Sequence, residues 1–453
     1  MRVTLVSLGA LVLLWMPLWN RYPLVFSDTG TYLFSAWQLF VPVDRPIGYG
    51  LFIRAASLAP SVWAIVFAQA LGTSALLFRN AELLLPQTSG VEFFAFGLTV
   101  LTALLTNVSM FVGWVMPDVF ASWVFLGAVW FWLARARHEK IVAALFVTFA
   151  FLVHNSHLWI ALGALGIVSM FLVWRAKERR GVVRNSALVF ALILFGIGLN
   201  VGINAWLGKG FSPGRGGSTF FVNRLHETGI LRVTLARYCE TETWTLCAAR
   251  ETLNAHEGEL GWFLWNENSP LAQTDWETAA AEHGAIARRA LECCLAEFLN
   301  ISARSSWELF WLIEREHDLL PQPASSDAAR AVRELYPREW AMFQASGQQH
   351  GAPPPGYVFA ASPLVRELVW LGAALILFLV AWLRRDARWL AVWFALFVFL
   401  GVNALVTGSL SGVFARYQAR VFWLVTFFVL TYAVNWFLTR RVMAANGNIF
   451  NFP

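Results

Sequence analysis

Long apolar stretches separated by short charged links run through most of the chain. A hydrocarbon core of roughly 30 Å needs about 20 residues of α-helix at a rise of about 1.5 Å each. The stretches are close to this length, so the pattern predicts about ten membrane-spanning helices. The predicted spans are residues 3–19, 61–78, 91–114, 119–134, 141–153, 157–174, 186–207, 364–383, 389–409 and 421–438. Residues 141–153 are short for a crossing, which leaves a re-entrant half-span and a count of nine as the alternative.

One long polar segment interrupts this pattern between the seventh and eighth predicted spans. It divides the chain into an N-terminal transmembrane module (1–207), a mainly helical domain (208–363) and C-terminal transmembrane helices (364–453). Alanine and leucine at helical spacing predict long helices from 274 to 318, with a start near Asp275. The Gly-rich stretches GFSPGRGGS and GQQHGAPPPG, at its two ends, are interpreted as linkers. The sequence therefore predicts an all-α polytopic membrane protein.

Lysine and arginine fall at alternate ends of the predicted spans. The cationic links on the side of Arg2 contain Arg79, Arg135, Arg137, Lys140, Arg175, Lys177, Arg179, Arg180, Arg184, Arg384, Arg385, Arg388, Arg440 and Arg441. Because such residues concentrate in short cytoplasmic links, both termini are expected in the cytoplasm, as for a multi-pass protein of a bacterial inner membrane. The first loop (20–60) and the polar segment are then expected to be extracytoplasmic.

Composition and cysteine placement agree with this topology. Hydrophobic residues make up 58% of the chain and charged residues only 14%, which is typical of a membrane protein. All four cysteines lie in the polar segment, where an oxidising compartment permits disulfides. Cys239 could pair with Cys247, or each could pair with one of Cys293 and Cys294.

The polar segment is acidic whereas the rest of the chain is basic. It carries 19 of the 28 Asp and Glu residues but 13 of the 34 Lys and Arg residues, a net charge of −6 against +12 elsewhere. This balance excludes a nucleic-acid partner, because the segment has no basic stripe to neutralise phosphates. The cations elsewhere are expected to contact the anionic headgroups of membrane lipids.

Ionisable and polar residues gather in the loops that the charge pattern places outside. They are Asp28, Tyr32, Asp44, Arg45 and Tyr49 in the first loop, Asp118 before a span, His154, Asn155, Ser156 and His157 between two spans, and Arg416 with Arg420 in the last outer loop. A charge at the bilayer centre costs about 3 kcal/mol or more, so charges gathered at one membrane face predict a water-accessible site.

Structural explanations compete with a functional one for these residues. Asp28 could cap a helix, and Asp118 after Pro117 suits a helix N-terminus. Two histidines without a third ligand at fixed spacing are a weak metal signal. The tyrosines could form an interfacial belt, and the two arginines of the last loop could bind lipid phosphate for stability alone.

The motifs SDTGTYL (27–33) and DRPIGYG (44–50) are placed as in one family of membrane enzymes. An Asp soon after the first span, with an Arg-Pro turn leading to the second, resembles the type C membrane glycosyltransferases over about the first two hundred residues. These include protein O-mannosyltransferases, the aminoarabinose transferase acting on lipid A and oligosaccharyltransferase catalytic subunits. The resemblance implies a polyprenyl-phosphate-linked sugar as donor and an extracytoplasmic glycan, lipid or protein as acceptor.

The same resemblance implies that Asp28 activates the acceptor and that Asp118 is the second outer-loop acid. Two departures concern metal chemistry. Asp28 is not part of an Asp-Glu pair, and Asp118 has no D-x-D or E-x-D partner. A divalent metal is therefore possible but not supported by ligand spacing, and no cofactor is otherwise indicated.

The residue types suit an inverting sugar transfer from a lipid phosphate. Such a transfer needs a base for the acceptor hydroxyl and cations for the departing phosphate. Desolvation at the membrane edge is expected to raise the pKa of Asp28, which would improve it as a base. Guanidinium groups grip phosphate through two parallel hydrogen bonds. The predicted phosphate ligands are Arg45, Arg416 and Arg420, and the predicted substrate contacts are Asp44, Tyr32, Tyr49, His154, Asn155 and His157.

Two other functions would also gather charges at one membrane face. A polyprenyl-lipid or glycolipid transporter would need access from both sides and often has inverted repeats with broken helices, but no paired halves are visible in the sequence. A membrane-bound O-acyltransferase could use His154 or His157 as its base, although its histidine is expected within the membrane.

Overall fold

The structure is a computed structural model, and it describes residues 1–57, 61–86, 89–176, 179–212, 214–313, 319–352 and 363–445. Before the polar segment the helices are α1 (Arg2–Leu13), α2 (Trp15–Trp19), α3 (Thr29–Gln38), α4 (Gly48–Ala56), α5 (Val62–Leu84), α6 (Val91–Leu105), α7 (Val108–Gly113), α8 (Phe120–Leu133), α9 (Arg137–Val153), α10 (Asn155–Arg175) and α11 (Arg179–Trp206). In the polar segment they are α12 (Gly217–Glu227), α13 (Ile230–Tyr238), α14 (Thr245–Ala248), α15 (Arg250–Ala255), α16 (Trp262–Trp265), α17 (Trp276–Trp311), α18 (Asp327–Leu335) and α19 (Trp340–Gln344). After it come α20 (Pro363–Leu383), α21 (Ala387–Leu410) and α22 (Ala415–Ala445).

Short 3₁₀ turns and one backbone bridge complete the secondary structure. The 3₁₀ turns are Pro117–Val119, Pro270–Gln273, Pro337–Glu339 and Gln348–His350. Within the ranges given above there is no strand, only an isolated parallel bridge between Leu24 and Trp114. The predicted all-helical class is therefore confirmed for this part of the chain.

In the part of the chain that the structure describes, six helices are long and apolar enough to cross a membrane, as expected of a multi-pass membrane protein. They are Val62–Leu84, Asn155–Arg175, Arg179–Trp206, Arg366–Leu383, Ala387–Leu410 and Ala415–Arg440. The other four predicted spans coincide with shorter elements. Residues 3–19 divide into α1 and α2, residues 91–114 divide into α6 and α7, and the last two correspond to α8 and the 17-residue α9.

The break inside residues 91–114 has a local cause. Thr106 ends α6 in an extended conformation, and its hydroxyl oxygen accepts a hydrogen bond from the amide of Val108 at 3.2 Å. A threonine side chain that bonds to the backbone in this way competes with continuation of the helix. Hydrophobicity alone does not reveal the break, because the residues on both sides are apolar.

The last helix, α22, runs through the centre of the bundle. It packs against α5, α6, α8, α17, α20 and α21. Large side chains fill the space around it, among them the fully buried Trp389, Trp393 and Trp423. At the N-terminal end of α22, the side-chain amide of Asn403 on α21 donates to the carbonyl of Tyr417 at 2.7 Å and to the side chain of Gln418 at 2.9 Å. These bonds fix the first turns of α22, where Arg416 and Arg420 lie.

The helices of the polar segment pack in two places. From α12 to α17 they surround their own apolar cluster, which includes Val222, Leu225, Ile230, Phe263 and Ile286. Asp275 caps helix α17 near the predicted start, and its carboxylate accepts from the amide of Thr278. Of the predicted helical range 274–318, residues 314–318 lie outside the described ranges. It bends at Cys294 and packs along α21. Helix α18 instead packs against α3 and contributes to the main core.

The cysteines form two local pairs. Cys239 is bonded to Cys247, and Cys293 is bonded to the adjacent Cys294. Of the two pairings that the sequence left open, the structure therefore has the first, with no bond between the two cysteine regions. Both pairs lie in the part of the polar segment that surrounds the second apolar cluster.

The interpretation of both Gly-rich stretches as linkers is wrong where the structure describes them. Gly216 lies against the backbone of Val43 and Asp44, and Arg215 donates to the carbonyl of Val41 at 2.9 Å. In the second Gly-rich stretch, the side-chain NH₂ group of Gln348 donates to the backbone carbonyl of Val25 at 2.7 Å. The side-chain oxygen of Gln348 accepts from the backbone amide of Val25. Both stretches therefore dock on the first loop; residues 213 and 353–362 lie outside the described ranges.

Candidate functional site

Four segments of the chain meet at one end of the bundle, and a backbone bridge joins the first two. The amide of Leu24 donates to the carbonyl of Gly113, and the amide of Val115 donates to the carbonyl of Leu24, both at 2.9 Å. The hydroxyl of Thr29 adds a bond to the carbonyl of Val115 at 3.1 Å. These contacts place the start of α3 beside the turn that leads to α8. Asp28 and Asp118 therefore lie on neighbouring segments.

Asp28 stands at the start of α3 but does not cap it. Its side chain makes no capping hydrogen bond to the helix. One carboxylate oxygen instead lies 3.2 Å from Nη1 of Arg45, and 23% of the side chain remains exposed. The structural explanation by helix capping is thus not realised, and the carboxylate is both ion-paired and accessible.

Arg45 is held by its neighbours on three sides. Its Nε donates to the carboxylate of Asp44 at 2.8 Å, and a second bond comes from Nη2. Its guanidinium lies 4.8 Å from the ring centre of Tyr32, a distance at which a cation attracts an aromatic face. Tyr32 in turn packs edge to face with Tyr49 at 4.9 Å. The Arg-Pro turn thus presents a fixed cation to Asp28.

The two tyrosines are placed differently from the prediction that they contact a substrate. Tyr49 is completely buried, and Tyr32 is 2% exposed. The hydroxyl of Tyr49 donates at 2.7 Å to Gln69, whose amide donates to the carbonyls of Val112 and Trp114. Tyr32 thus contacts Arg45, Tyr49 packs behind Tyr32, and both rings are enclosed.

Asp118 and Arg420 form a buried pair with long contacts. Asp118 lies in the 3₁₀ turn before α8, and its carboxylate oxygen is 3.5 Å from Nη1 of Arg420. The Arg420 side chain is fully buried, and its Nη2 lies 3.4 Å from the hydroxyl of Ser156. Both distances exceed those of a strong charge-assisted hydrogen bond, about 2.8 Å. Nε of Arg420 has no hydrogen-bond acceptor among the described residues.

Arg416, one turn before Arg420 on α22, has unused hydrogen-bond donors. Its guanidinium lies over the rings of Phe26 at 4.4 Å and Tyr417 at 5.2 Å. Its buried Nε and Nη1 have no hydrogen-bond partner in the described part of the chain. It is attracted electrostatically to both Asp118 and Asp28 without an ion-pair contact to either. Guanidinium donors without acceptors in a buried position are suited to receive an anion.

The histidine segment, residues 154–157 at the start of α10, lies at one side of the cluster. His154 accepts from the amide of Ser156 at 3.2 Å, and its ring lies 5.2 Å from that of His157. Nδ1 of His157 donates to the carbonyl of Ala150 at 2.7 Å, and its buried Nε2 has no partner in the described ranges. The side chain of Asn155 lies against Gly214 in the docked Gly-rich stretch.

The protonation states follow from burial and from the arginines. Burial raises the pKa of Asp28, but attraction to Arg45 and Arg416 lowers it by more, so the pKa lies below its ordinary value. The expectation of a raised pKa is therefore wrong, because these two cations stabilise the carboxylate. Burial lowers the pKa of His154 well below its usual value, and the nearby His157 and Arg420 act in the same direction. At neutral pH Asp28 is thus ionised and His154 is neutral.

The carboxylates and imidazoles of the cluster bear on the prediction that a divalent metal is possible. In the ranges that the structure describes, no group of three or more His, Cys, Asp or Glu side chains is arranged to hold a metal ion. The carboxylates of Asp28, Asp44 and Asp118 contact arginines.

All predicted site residues lie in or directly behind this one cluster, but the sequence analysis missed several residues that position it. Gln69 is a fully buried amide inside an otherwise apolar span, which is a sequence signal that could have identified it. Phe26 and Tyr417 carry no such signal, because aromatic residues are common throughout the chain. Gln348 lies 328 residues after Asn20, whose side chain accepts from its amide at 2.7 Å, and no local pattern predicts that contact.

Comparison with known proteins adds no family or relative. No protein-family model matches the chain, and neither the curated proteins nor the solved structures include a significant match.

Proposed function

We propose that the chain is a membrane glycosyltransferase that moves a sugar from a polyprenyl-phosphate donor to an extracytoplasmic acceptor. The observation that carries the proposal is the arginine set beside two carboxylates. Arg45 pairs with Asp28, and Arg420 pairs with Asp118. Arg416 is attracted to both carboxylates, and its Nε and Nη1 have no acceptor among the described residues. A phosphate would supply the acceptors that these guanidinium groups lack. The candidate spans next to the cluster suit a substrate with a hydrocarbon tail.

The proposed topology keeps both termini in the cytoplasm and the charge cluster outside. The support is the distribution of lysine and arginine between the links and the two cysteine pairs of the polar segment, which suit an oxidising compartment. The four shorter elements at 3–19, 91–114, 119–134 and 141–153 complete ten crossings in this proposal. Impermeant thiol reagents should label reduced Cys239 or Cys293 in intact spheroplasts. Labelling only after lysis would contradict the orientation.

The arginines would act on the leaving group. As the bond between the sugar carbon and the phosphate oxygen breaks, the phosphate takes the electron pair and gains negative charge. Fixed donors aimed at developing charge typically contribute a factor of roughly 10² to 10³ in rate. Arg416 is the first candidate because its Nε and Nη1 need no rearrangement to accept the ligand. Arg45 and Arg420 would add positive charge from either side.

Asp28 would take the proton of the acceptor hydroxyl as that oxygen attacks the sugar carbon from the opposite face. Arg45 and Arg416 lower the pKa of Asp28, which weakens it as a base. A bound phosphate would partly neutralise the positive charge of those two arginines and would so raise the basicity of Asp28. Activation of the base would then depend on the donor being present. Asp118 would hold Arg420 in place and act as the second acid.

The remaining predicted contacts would shape the acceptor side. Asn155 and His154 are only partly buried, and the neutral imidazole can accept or donate a hydrogen bond to a hydroxyl. Asp44, Tyr32 and Tyr49 would orient Arg45, in keeping with their contacts.

A transporter of the same lipid class remains the second candidate. The specific observation is the break between α6 and α7, where the side chain of buried Asn107 has no hydrogen-bond partner in the described part of the chain. Interrupted helices with unsatisfied polar groups often line transport sites near the membrane midplane.

A reconstituted transfer assay separates the two functions. Purified protein in proteoliposomes would receive a polyprenyl-phosphate sugar and envelope extract from a deletion strain, with released polyprenyl phosphate and glycosylated product measured by mass spectrometry. We expect stoichiometric product and polyprenyl phosphate from the parent and loss of both in Arg416→Gln. An exposed cation, Arg237, supplies the control Arg237→Gln, which should react normally. Donor crossing the bilayer without any transferred sugar would instead establish transport.

A further inference from the structure

An apolar cavity of about 340 Å³ lies between α8, α10 and α21, away from the charge cluster. Helices α10 and α21 pack closely along each other, whereas α8 packs mainly on α9 and leaves a gap. Small residues widen that gap, among them Ala128, Ala161, Ala164 and Ala391. The walls are hydrocarbon and aromatic along their length, and Arg388 is the charged residue among the lining side chains.

The cavity is displaced toward the helix ends opposite the cluster. On α8 its lining ends at Leu133, the last residue of that helix, and on α21 it begins at Ala387, the first. On α10 it runs from Ala161 to Leu172. Eleven residues of helix rise roughly 16 Å, which is about half of a hydrocarbon core of roughly 30 Å. The cavity therefore has the depth of one lipid leaflet.

Cations surround the end at which the cavity reaches the helix termini. Arg388 is exposed there and forms no ion pair with any described residue. Arg175, three residues after Leu172, stacks over Trp382 at 5.4 Å. Asp386 is the nearest acid in sequence, and its carboxylate caps α21 by accepting from the amide of Trp389. An anion at this rim would meet guanidinium groups whose charge is not neutralised.

We propose that this cavity binds one hydrocarbon chain of an anionic glycerophospholipid, with the phosphate at Arg388. The apolar walls separate the lipid's acyl chain from the surrounding bilayer lipids, and Arg388 contacts the lipid headgroup. Together these contacts distinguish a specifically bound lipid from the lipids that exchange freely around the protein. The lipid fills the gap between α8 and the pair of α10 and α21. It thereby fixes α8, whose opposite end follows directly from the turn that carries Asp118. This site is separate from the proposed donor site and does not depend on it.

Native mass spectrometry of the full-length protein in detergent tests the site with two lipids that share the same acyl chains, phosphatidylglycerol and phosphatidylcholine. One favourable contact between an arginine and an anionic headgroup corresponds to roughly a fivefold preference. We expect the parent to retain phosphatidylglycerol with about this preference and Arg388→Gln to lose the preference while folding normally. Arg180→Gln removes another exposed arginine outside the lining and should keep it.

A cavity-filling variant separates chain binding from headgroup binding. Ala164→Phe places a ring in the gap and should lower retention of both lipids several-fold. Parental retention in Ala164→Phe, or an equal effect of Arg388→Gln and Arg180→Gln, would overturn the proposal. So would loss of the retained lipid in Arg416→Gln with retention in Arg388→Gln, because the chain would then belong to a lipid whose phosphate lies at the charge cluster.

Discussion

Two buried arginine–carboxylate pairs in this molecule differ in how completely their hydrogen bonds are satisfied. In the helical unit from α12 to α17, named the outer unit because the proposed topology places it outside the cytoplasm, Arg224 lies 3.1 Å from Glu227, and both side chains are at most 5% exposed. Glu227 also accepts from Asn223 and from the amide of Gly261, each at 2.8 Å, and Arg224 donates to Ser305. At the charge cluster, Arg420 and Asp118 are equally buried but 3.5 Å apart.

The difference separates an architectural pair from a ligand site. A buried ion pair with every donor and acceptor used holds its surroundings together, and removal of one partner leaves an uncompensated charge. Among the described residues, Nε of Arg420 and two nitrogens of Arg416 in the cluster have no acceptor. Unused charged donors in a buried site are costly unless something else completes them. We infer that the cluster is completed by an anionic ligand and the outer pair by the protein itself.

The largest expected effect is on catalysis through Asp28. Asp28→Asn keeps the shape but removes the proton acceptor, so transfer should fall by a factor of roughly 10² to 10⁴. Expression and melting temperature should stay near those of the parent, because Arg45 keeps its ion pair with Asp44 and the Asp28 carboxylate makes no capping bond. Asp275→Asn is the matched control: Asp275 caps α17, and asparagine caps about as well. Parental transfer by Asp28→Asn would remove Asp28 from the mechanism.

The next effect is on stability and belongs to the outer pair. Glu227→Gln leaves Arg224 buried without its counter-charge, which should lower the free energy of unfolding by about 3–5 kcal/mol. Thermal unfolding in detergent measures the change. Glu292→Gln, which removes an exposed partner of Arg289, should cost about 1 kcal/mol or less. Equal stability of the two variants would mean that the outer pair does not have the architectural role assigned to it.

A smaller effect on the transfer rate is expected when Arg416 is replaced by a residue with the same charge but without a planar guanidinium group. Arg416→Lys replaces the planar fork with a single ammonium group, and a lost charge-assisted hydrogen bond is worth about 1.5–3 kcal/mol. The rate at low donor concentration should therefore fall roughly tenfold or more. Arg237→Lys, at an exposed position of the outer unit, is the control. Full activity of Arg416→Lys would reduce the role of Arg416 to a general positive charge.

The smallest effect concerns the pH dependence of the outer unit. Burial lowers the pKa of His283 to about 4, against an opposing contribution from Glu282. Because an unfolded histidine titrates near about 6.5, the neutral form contributes stability that is complete above that pH and is lost as pH falls from there toward about 4. His283→Gln should therefore give a shallower decline of melting temperature on acidification. Identical slopes in parent and variant would contradict the assignment.

The long helices, and the gathering of the predicted residues at one end of the bundle, were easier to predict from the sequence than the contacts among those residues. Apolar length alone identified α5, α10, α11, α20, α21 and α22. It could not reveal the break at Thr106, because the hydrophobic pattern continues across it and a local side-chain bond decides the outcome. The site residues converge because each lies at the same end of its helix, which the charge pattern already indicated.

The pairings inside the site were beyond the sequence. Which arginine meets which carboxylate depends on contacts over hundreds of residues, such as Arg420 with Asp118. The lowered pKa of Asp28 follows from those pairings and reverses the expectation from burial alone. The docking of Gln348 on Val25 was missed for a related reason, because a Gly- and Pro-containing stretch has the composition of a linker.

The most direct test asks whether the unpaired arginine donors of the cluster bind phosphate. It compares the affinity of the purified protein for polyprenyl phosphate with its affinity for the uncharged polyprenol of equal chain length. The hydrocarbon contribution is common to both ligands, so their ratio reports the phosphate. We predict at least roughly tenfold tighter binding of the phosphate by the parent and by Arg388→Gln, and a ratio near one in Arg416→Gln. Equal affinity of the parent for the two lipids, or an undiminished ratio in Arg416→Gln, would contradict the account.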